Sequence, residues 1–267
     1  MKTRAVTGVK RAILAATNYE GTANQLHGCI NDAKIRYKLL IDKLGFDPKN
    51  ITILLGTDAT KANVMAAMAR CKAAAKMEDY LYMLWSGHGS QIPSKSKTEK
   101  DKLDEIICLD GFSWSPDTML TDKEFDKFLT GLPGFFFFTP DSCHSDDMMR
   151  DITFNEVPKF IPNPELDMTD HSRDVTASSL TKAASPDRCV EISGCGTSQT
   201  SADTVIKGVP CGAFSACFNQ ALEEYGYRAT YAQLTARTQV LLKRGKYTQV
   251  PVLDCSAALS KVRAFGL

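Results

Sequence analysis

The sequence predicts an α/β fold built on a mostly parallel central sheet. Three observations carry this. Short apolar β-forming runs alternate with stretches of helical periodicity. Several of those runs are apolar at every position, as strands covered on both faces are. Two clusters bearing reactive side chains, Ser86-Gly87-His88-Gly89-Ser90 and Asp141-Ser142-Cys143-His144-Ser145, stand directly after such runs. In sheets of this kind ligands bind outside the carboxyl ends of the strands, where both clusters then fall.

Taken in order, residues 11–17 (RAILAAT) form the first strand. A polar loop with Gly21 and Gly28 leads into a helix whose stripe is Ala33, Tyr37, Leu40 and Leu44, closed by Gly45. Residues 51–55 make the second strand, and residues 60–75 a helix with Val64, Met68 and Cys71 on one face. Residues 80–85 make the third strand, which delivers Ser86 and His88; a charged loop (91–103) and a short strand (105–109) follow. Thr121 and Glu124 have the spacing of a capping box for a helix through Phe128. Residues 135–139 are a continuous apolar strand that delivers Asp141 and Cys143. Residues 151–187 change character, with prolines and a run of Ser, Thr, Asp and Asn, and read as a long loop or linker. Regular structure resumes with a strand at 189–193, helices at 213–225 and 231–243, and a last strand around 250–253.

Composition bounds the function. A chain of 267 residues, 43% hydrophobic and 24% charged, buries a substantial core. A net charge of +1 gives no purchase on nucleic acid or an anionic membrane. The apolar piece at residues 12–16 is too short for a signal-peptide core, and there is no run of about 20 apolar residues to span a bilayer. The nine cysteines are odd in number, scattered and without Cys-x-x-Cys pairs. They suit a reducing cytoplasm rather than a disulfide framework or a structural zinc site. A nucleotide-binding reading of the sheet fails for want of a Gly-x-Gly-x-x-Gly turn or a Walker Gly-Lys-Ser/Thr.

The chemistry lies in a thiol and an imidazole. Cys143 is the candidate nucleophile and His88, 55 residues upstream, the candidate general base. The commonest fate of a free cysteine is a small packed hydrophobe, but the flanking residues argue against that here. The glycines beside His88 permit close approach of a substrate backbone.

These residues, with His27-Gly28-Cys29-Ile30-Asn31-Asp32-Ala33, Ile192-Ser193-Gly194-Cys195, Gln199-Thr200-Ser201-Ala202-Asp203 and Tyr247-Thr248-Gln249-Val250-Pro251, resemble the caspase-like cysteine peptidases (peptidase C14), and within them the metacaspases. The ordered set covers nearly the whole chain. The resemblance implies a caspase-like three-layer sandwich, with a sheet of about six strands and helices on both faces. It implies a p20-like catalytic part at 1–150, a linker or processing loop at 151–188, and a p10-like part at 189–267 that completes the same single domain. It implies a cysteine endopeptidase with an acyl-enzyme intermediate. The oxyanion donors would be the backbone N–H groups of Gly89 and Cys143, with His144 structural.

The resemblance further places Asp32, Ser86 and Asp141 in the pocket for the residue before the cleaved bond. Two carboxylates in a desolvated slot select Arg or Lys. Read alone, Asp32 is equally a charge favoured at a helix N-terminus and Asp141 a turn stabiliser. No cofactor is required for the chemistry. Calcium is the expected activator, through Asp104, Asp122 and the stretch after the nucleophile, where Asp146, Asp147 and Asp151 stand. Three departures leave that requirement open: Thr121 replaces a more usual acid, Asp146-Asp147 replaces a Gly-rich pair, and Arg150 intrudes. Self-cleavage is implied too, with Lys159, Arg173, Lys182 and Arg188 as basic residues of the linker. The expected partner is a protein substrate with a basic residue before the cut, and the chain a monomer. Two alternatives stay open: a catalytically silent caspase-like regulatory or scaffold module, and an Asp-specific caspase.

Overall fold

The computed structural model describes residues 7–94, 102–143, 156–166, 188–196 and 199–266. Its centre is a six-stranded sheet made of β1 (Lys10–Ala16), β2 (Ile51–Leu55), β3 (Tyr80–Ser86), β7 (Phe135–Asp141), β9 (Cys189–Ser193) and β12 (Val252–Asp254). Their spatial order is β12-β9-β7-β3-β1-β2, and every pairing is parallel except that of β12 with β9.

The runs that read as apolar throughout occupy the middle. All seven residues of β3 are buried, as are six of the seven in β7. Alternate side chains face opposite layers. Ala12, Leu14, Tyr80, Tyr82 and Phe137 meet α1 (Cys29–Asp42), α4 (Ala213–Glu224) and α5 (Tyr231–Arg244) through Leu40, Phe218 and Leu242. Ile13, Ala15, Leu81, Met83, Trp85, Phe136 and Phe138 meet α2 (Lys61–Ala74) and α3 (Asp122–Leu129) through Val64, Met68, Phe125 and Phe128. Two separate apolar layers on one sheet make the three-layer sandwich.

Helix starts follow local chemistry. The Thr121–Glu124 capping box opens α3 as its spacing predicts, and Thr230 with Gln233 makes a second one on α5. Helix α1 has no side-chain cap on Gly28; the carboxylate of Asp203 takes the Gly28 N–H instead, at 3.0 Å.

Two small sheets flank the carboxyl ends of the central strands. One joins β4 (Gly89–Pro93), β5 (Leu103–Cys108) and β6 (Met119–Thr121); the other joins β8 (Val157–Pro158), β10 (Ala202–Ile206) and β11 (Val209–Gly212). The second lies partly within the stretch 151–188 read as a linker or processing loop. Residues 156–166 are packed structure: Pro158 and Val157 pair antiparallel with Ala202 and Asp203, and Lys159 is wholly buried. Phe160 and Ile161 supply buried apolar side chains inside a polar stretch, and the short strand itself is set by its pairing with β10. Among the described residues, no helix is long and apolar enough to cross a membrane.

Candidate active site

Strand register brings the two reactive clusters together. Ser86, at the end of β3, pairs with Asp141, at the end of β7. The chain therefore leaves two adjacent strand ends two residues before His88 and two before Cys143. Their backbones converge on one atom: the carbonyl oxygen of Lys159 accepts from Gly89 N–H at 3.1 Å and from Cys143 N–H at 3.1 Å. Two amides aimed at a single carbonyl oxygen are the geometry of an oxyanion hole.

His88 is buried and held from two sides. Its backbone N–H donates to the Tyr19 hydroxyl at 2.8 Å, and the two rings lie 4.7 Å apart. Nε2 stands 2.8 Å from the Asn24 carbonyl, which can only accept, so the ring carries its proton there. Nδ1 is left with a lone pair and has no hydrogen-bond partner among the described residues. Burial pulls the imidazole down to about 4; the Asn24 hydrogen bond opposes this and the Lys159 charge adds to it. The ring is neutral near pH 7, the state a base needs.

Cys143 is also buried. Its Sγ lies 2.8 Å from Cys195 Sγ and accepts from the Ser201 N–H. Burial drives the thiol well above its ordinary pKa, and the Cys195 contact pushes the same way. In this closed state the nucleophile is a thiol, so its proton must leave during attack.

The three pocket residues named from sequence surround one cation. Lys159 Nζ lies 3.1 Å from Asp141 Oδ2, 3.2 Å from Asp32 Oδ2 and 3.0 Å from Ser86 Oγ. Both carboxylates are fixed by further donors. Asp32 accepts from Gly212 N–H at 3.0 Å and from Ser86 Oγ at 2.8 Å. Asp141 accepts from Ser201 Oγ and Ser215 Oγ, each at 2.6 Å. Gln249 braces Ser201 in turn, donating to its Oγ at 3.0 Å. Burial alone would lower the pKa of Lys159, but the carboxylates of Asp141, Asp32 and Asp203 reverse this and hold it well above the ordinary value. Gly212 is needed for closeness: a Cβ there would sit 2.0 Å from Asp141 Oδ2 and 2.5 Å from Lys159 Nζ.

The chain around Lys159 runs through the site as an added strand. Before it, Pro158 and Val157 pair with β10, and Lys159 N–H donates to the Ser201 carbonyl at 2.9 Å. After it, Phe160 bridges in parallel to Gly89, and Ile161 N–H donates to the Gly89 carbonyl at 3.1 Å. Main-chain pairing on both sides of an anchored side chain is how extended peptides are recognised.

Two of the acids named for a metal, Asp104 and Asp122, lie on other elements. Asp122 is buried at the start of α3 and Asp104 lies on β5; Lys123 Nζ sits between them, 3.1 Å from Asp104 Oδ1 and 3.4 Å from Asp122 Oδ2. This oxygen pair already draws a cationic group, which is the donor chemistry that suits calcium. No cluster of three or more metal-ligating side chains occurs among the described residues. His144, Asp146, Asp147, Arg150, Asp151, Arg173 and Lys182 lie outside the described residues.

Sequence reasoning gave no role to Tyr19, Asn24, Ser201, Gly212 or Ser215, and did not single Lys159 out among four basic residues. Ser201 lies in the Gln199-Thr200-Ser201-Ala202-Asp203 motif. For Lys159 the signal was its apolar setting, Val157-Pro158-Lys159-Phe160-Ile161, unlike that of the other three.

Comparison with known proteins agrees with this geometry. The family model described as "Caspase domain" matches residues 10–262. "Metacaspase-1" of Cryptococcus neoformans var. neoformans is 31% identical over 94% of this chain, which spans 63% of that protein's length. "Metacaspase-9" of Arabidopsis thaliana is 27% identical over 92% of this chain and 93% of its own. The crystal structure of a Geobacter sulfurreducens protein superimposes with a TM-score of 0.68 at 25% identity, covering 97% of this chain and 98% of that one. A parallel sheet with thiol, imidazole and paired carboxylates at one rim, and a family match over almost the whole length, place this chain in the caspase-domain family of cysteine peptidases, metacaspase type.

Proposed function

We propose that the chain is a cysteine endopeptidase that cleaves after Lys or Arg and processes itself after Lys159. The single observation that carries this reading is the seat of Lys159: ammonium between Asp32 and Asp141, carbonyl on the Gly89 and Cys143 amides. A substrate residue would bind in the same way. Its carbonyl carbon is attacked by Cys143 Sγ while the thiol proton passes to His88 Nδ1. The oxyanion that forms is held by the two amides. Collapse breaks the C–N bond, His88 returns the proton to the leaving amine, and a thioester remains. Water, deprotonated by His88, then hydrolyses the thioester and restores the thiol.

Arg fits the pocket as well as Lys, because its planar fork pairs with two carboxylates. An aspartate would set a third carboxylate beside Asp32 and Asp141, which argues against Asp specificity. A silent scaffold would have no reason to keep two amides aimed at a carbonyl. The free cysteines suit a reducing compartment such as the cytoplasm, and a site supplied by one chain suits a monomer.

Calcium belongs to this reading as an activator. Asp104 and Asp122 would supply oxygen ligands, and Asp151 remains the third candidate. The ion would take the place now filled by the Lys123 ammonium.

Fluorogenic peptides ending in Arg, Lys and Asp, assayed with and without calcium, test the proposal. Hydrolysis of the Arg and Lys peptides, none of the Asp peptide, and inactivity of Cys143→Ala are expected. Undiminished turnover by Cys143→Ala, or no turnover of basic peptides in either condition, would overturn it.

A further inference from the structure

We infer that the site also selects the residues after the cleaved bond, through an apolar subsite that takes a bulky side chain such as Phe, Leu or Ile. The inference rests on the proposed reading of Lys159 as the residue before the bond. The chain segment in the site is then a bound substrate in miniature, and its burial shows which positions the protein grips.

That burial is one-sided. Val157, two residues before Lys159, is 36% exposed, whereas Phe160 and Ile161 are 5% and 6% exposed. The ring of Phe160 packs with Cys143 and Cys195, forming an apolar cluster apart from the two main layers. Ile161 joins the larger layer. Their backbone is held as firmly as their side chains. Ile161 N–H donates to Gly89, the Ile161 carbonyl accepts from Ser90 Oγ at 2.5 Å, and Asn163 Nδ2 donates to the Gln91 carbonyl at 2.9 Å. The segment beyond the bond thus lies along β4, with its first side chain against the nucleophile's own wall.

An acidic residue in place of Phe160 would bury a carboxylate beside Cys143 and within the field of Asp141, which already raises the thiol. A glycine would leave the wall between Cys143 and Cys195 uncovered. The preferred substrates are polypeptides in which Lys or Arg is followed by a large apolar residue. Residues before the basic one contribute mainly through the backbone ladder with β10.

Internally quenched peptides test this, with the self-processed full-length protein as enzyme. One carries Val-Pro-Lys-Phe-Ile-Asn, a second Val-Pro-Lys-Gly-Gly-Asn, a third Val-Pro-Lys-Asp-Gly-Asn. The transfer free energy of a buried phenyl ring gives the first an advantage in kcat/KM of about 10- to 100-fold over the other two. Equal cleavage of all three would overturn the subsite and leave the basic specificity standing. No cleavage of any of them would overturn the reading of Lys159 and the subsite with it. A parallel series in the intact chain, Phe160→Leu and Phe160→Asp, reads the same pocket in self-cleavage: the first keeps the rate and the second slows it by a similar factor. An unslowed Phe160→Asp would count against the subsite.

Discussion

Replacing Lys159 by Met keeps the length of the side chain and removes its charge. Lys159 is the cation between two carboxylates that are themselves buried. Removing one partner of a buried ion pair costs about 3–5 kcal/mol, because the opposite charge is left uncompensated. Here that penalty falls on the docking of residues 157–161 and leaves the rest of the fold alone. It corresponds to a shift of roughly 10²- to 10⁴-fold from the closed toward the open site. Two consequences follow, of opposite sign. Self-cleavage between residues 159 and 160 drops by a comparable factor, since Met offers the pocket no cation. Hydrolysis of an added Arg peptide no longer waits for self-cleavage and starts without a lag. Lys159→Arg keeps both the cut and the lag. A gel time course, sequencing of the smaller fragment's N-terminus (Phe160 expected) and peptide progress curves read all three. A Lys159→Met protein that still cuts after residue 159 at the parent rate would refute the argument.

Three further outcomes follow from the same geometry. In the closed state burial holds the His88 imidazole down to about 4 and raises the Asp32 carboxyl to about 6, so single-turnover self-cleavage rises as pH increases through these values and is flat above neutrality; a rate still climbing above about pH 8 would contradict it. Gly212→Ala places a methyl carbon 2.0 Å from Asp141 Oδ2, so hydrolysis of Arg and Lys peptides falls by roughly 100-fold or more, with some loss of melting temperature from the overpacked site; a folded variant that keeps basic-peptide activity would show that the pocket lies elsewhere. On the proposed calcium activation, Lys123→Ala removes the ammonium seated between Asp104 and Asp122, so half-maximal activation needs less calcium, seen in a calcium titration of peptide hydrolysis; an unchanged or raised requirement, or no response to calcium, would exclude that acid pair as an activating site.

The central strands were legible because their apolar runs are continuous and each needs cover on both faces. The Thr121–Glu124 box was legible because capping depends on residues three apart. The small sheets were not. Strand β4 carries Gly89, Ser90 and Pro93 and abuts a charged loop, while β8 has two residues, too few for any periodicity. Their pairing is set by distant partners, which local pattern does not encode. The same holds within the site. His88 and Cys143 were visible as residue types behind strand ends, yet the clamp on Asp32 comes from Gly212, 180 residues away. Lys159 is the clearest case: its apolar neighbours set it apart in sequence, but only folding against β10 and β4 brings its ammonium between two carboxylates.

Covalent capture of the nucleophile tests the central claim most directly. The self-processed protein is treated with a peptidyl chloromethyl ketone ending in Lys and, separately, with one ending in Asp, and the modified residue is read by mass spectrometry of the digest. A thiol seated beside a slot lined by Asp32 and Asp141 predicts one adduct, on Cys143, from the Lys reagent alone. Labelling of Cys29 or Cys195 in its place, or equal labelling by both reagents, would contradict it.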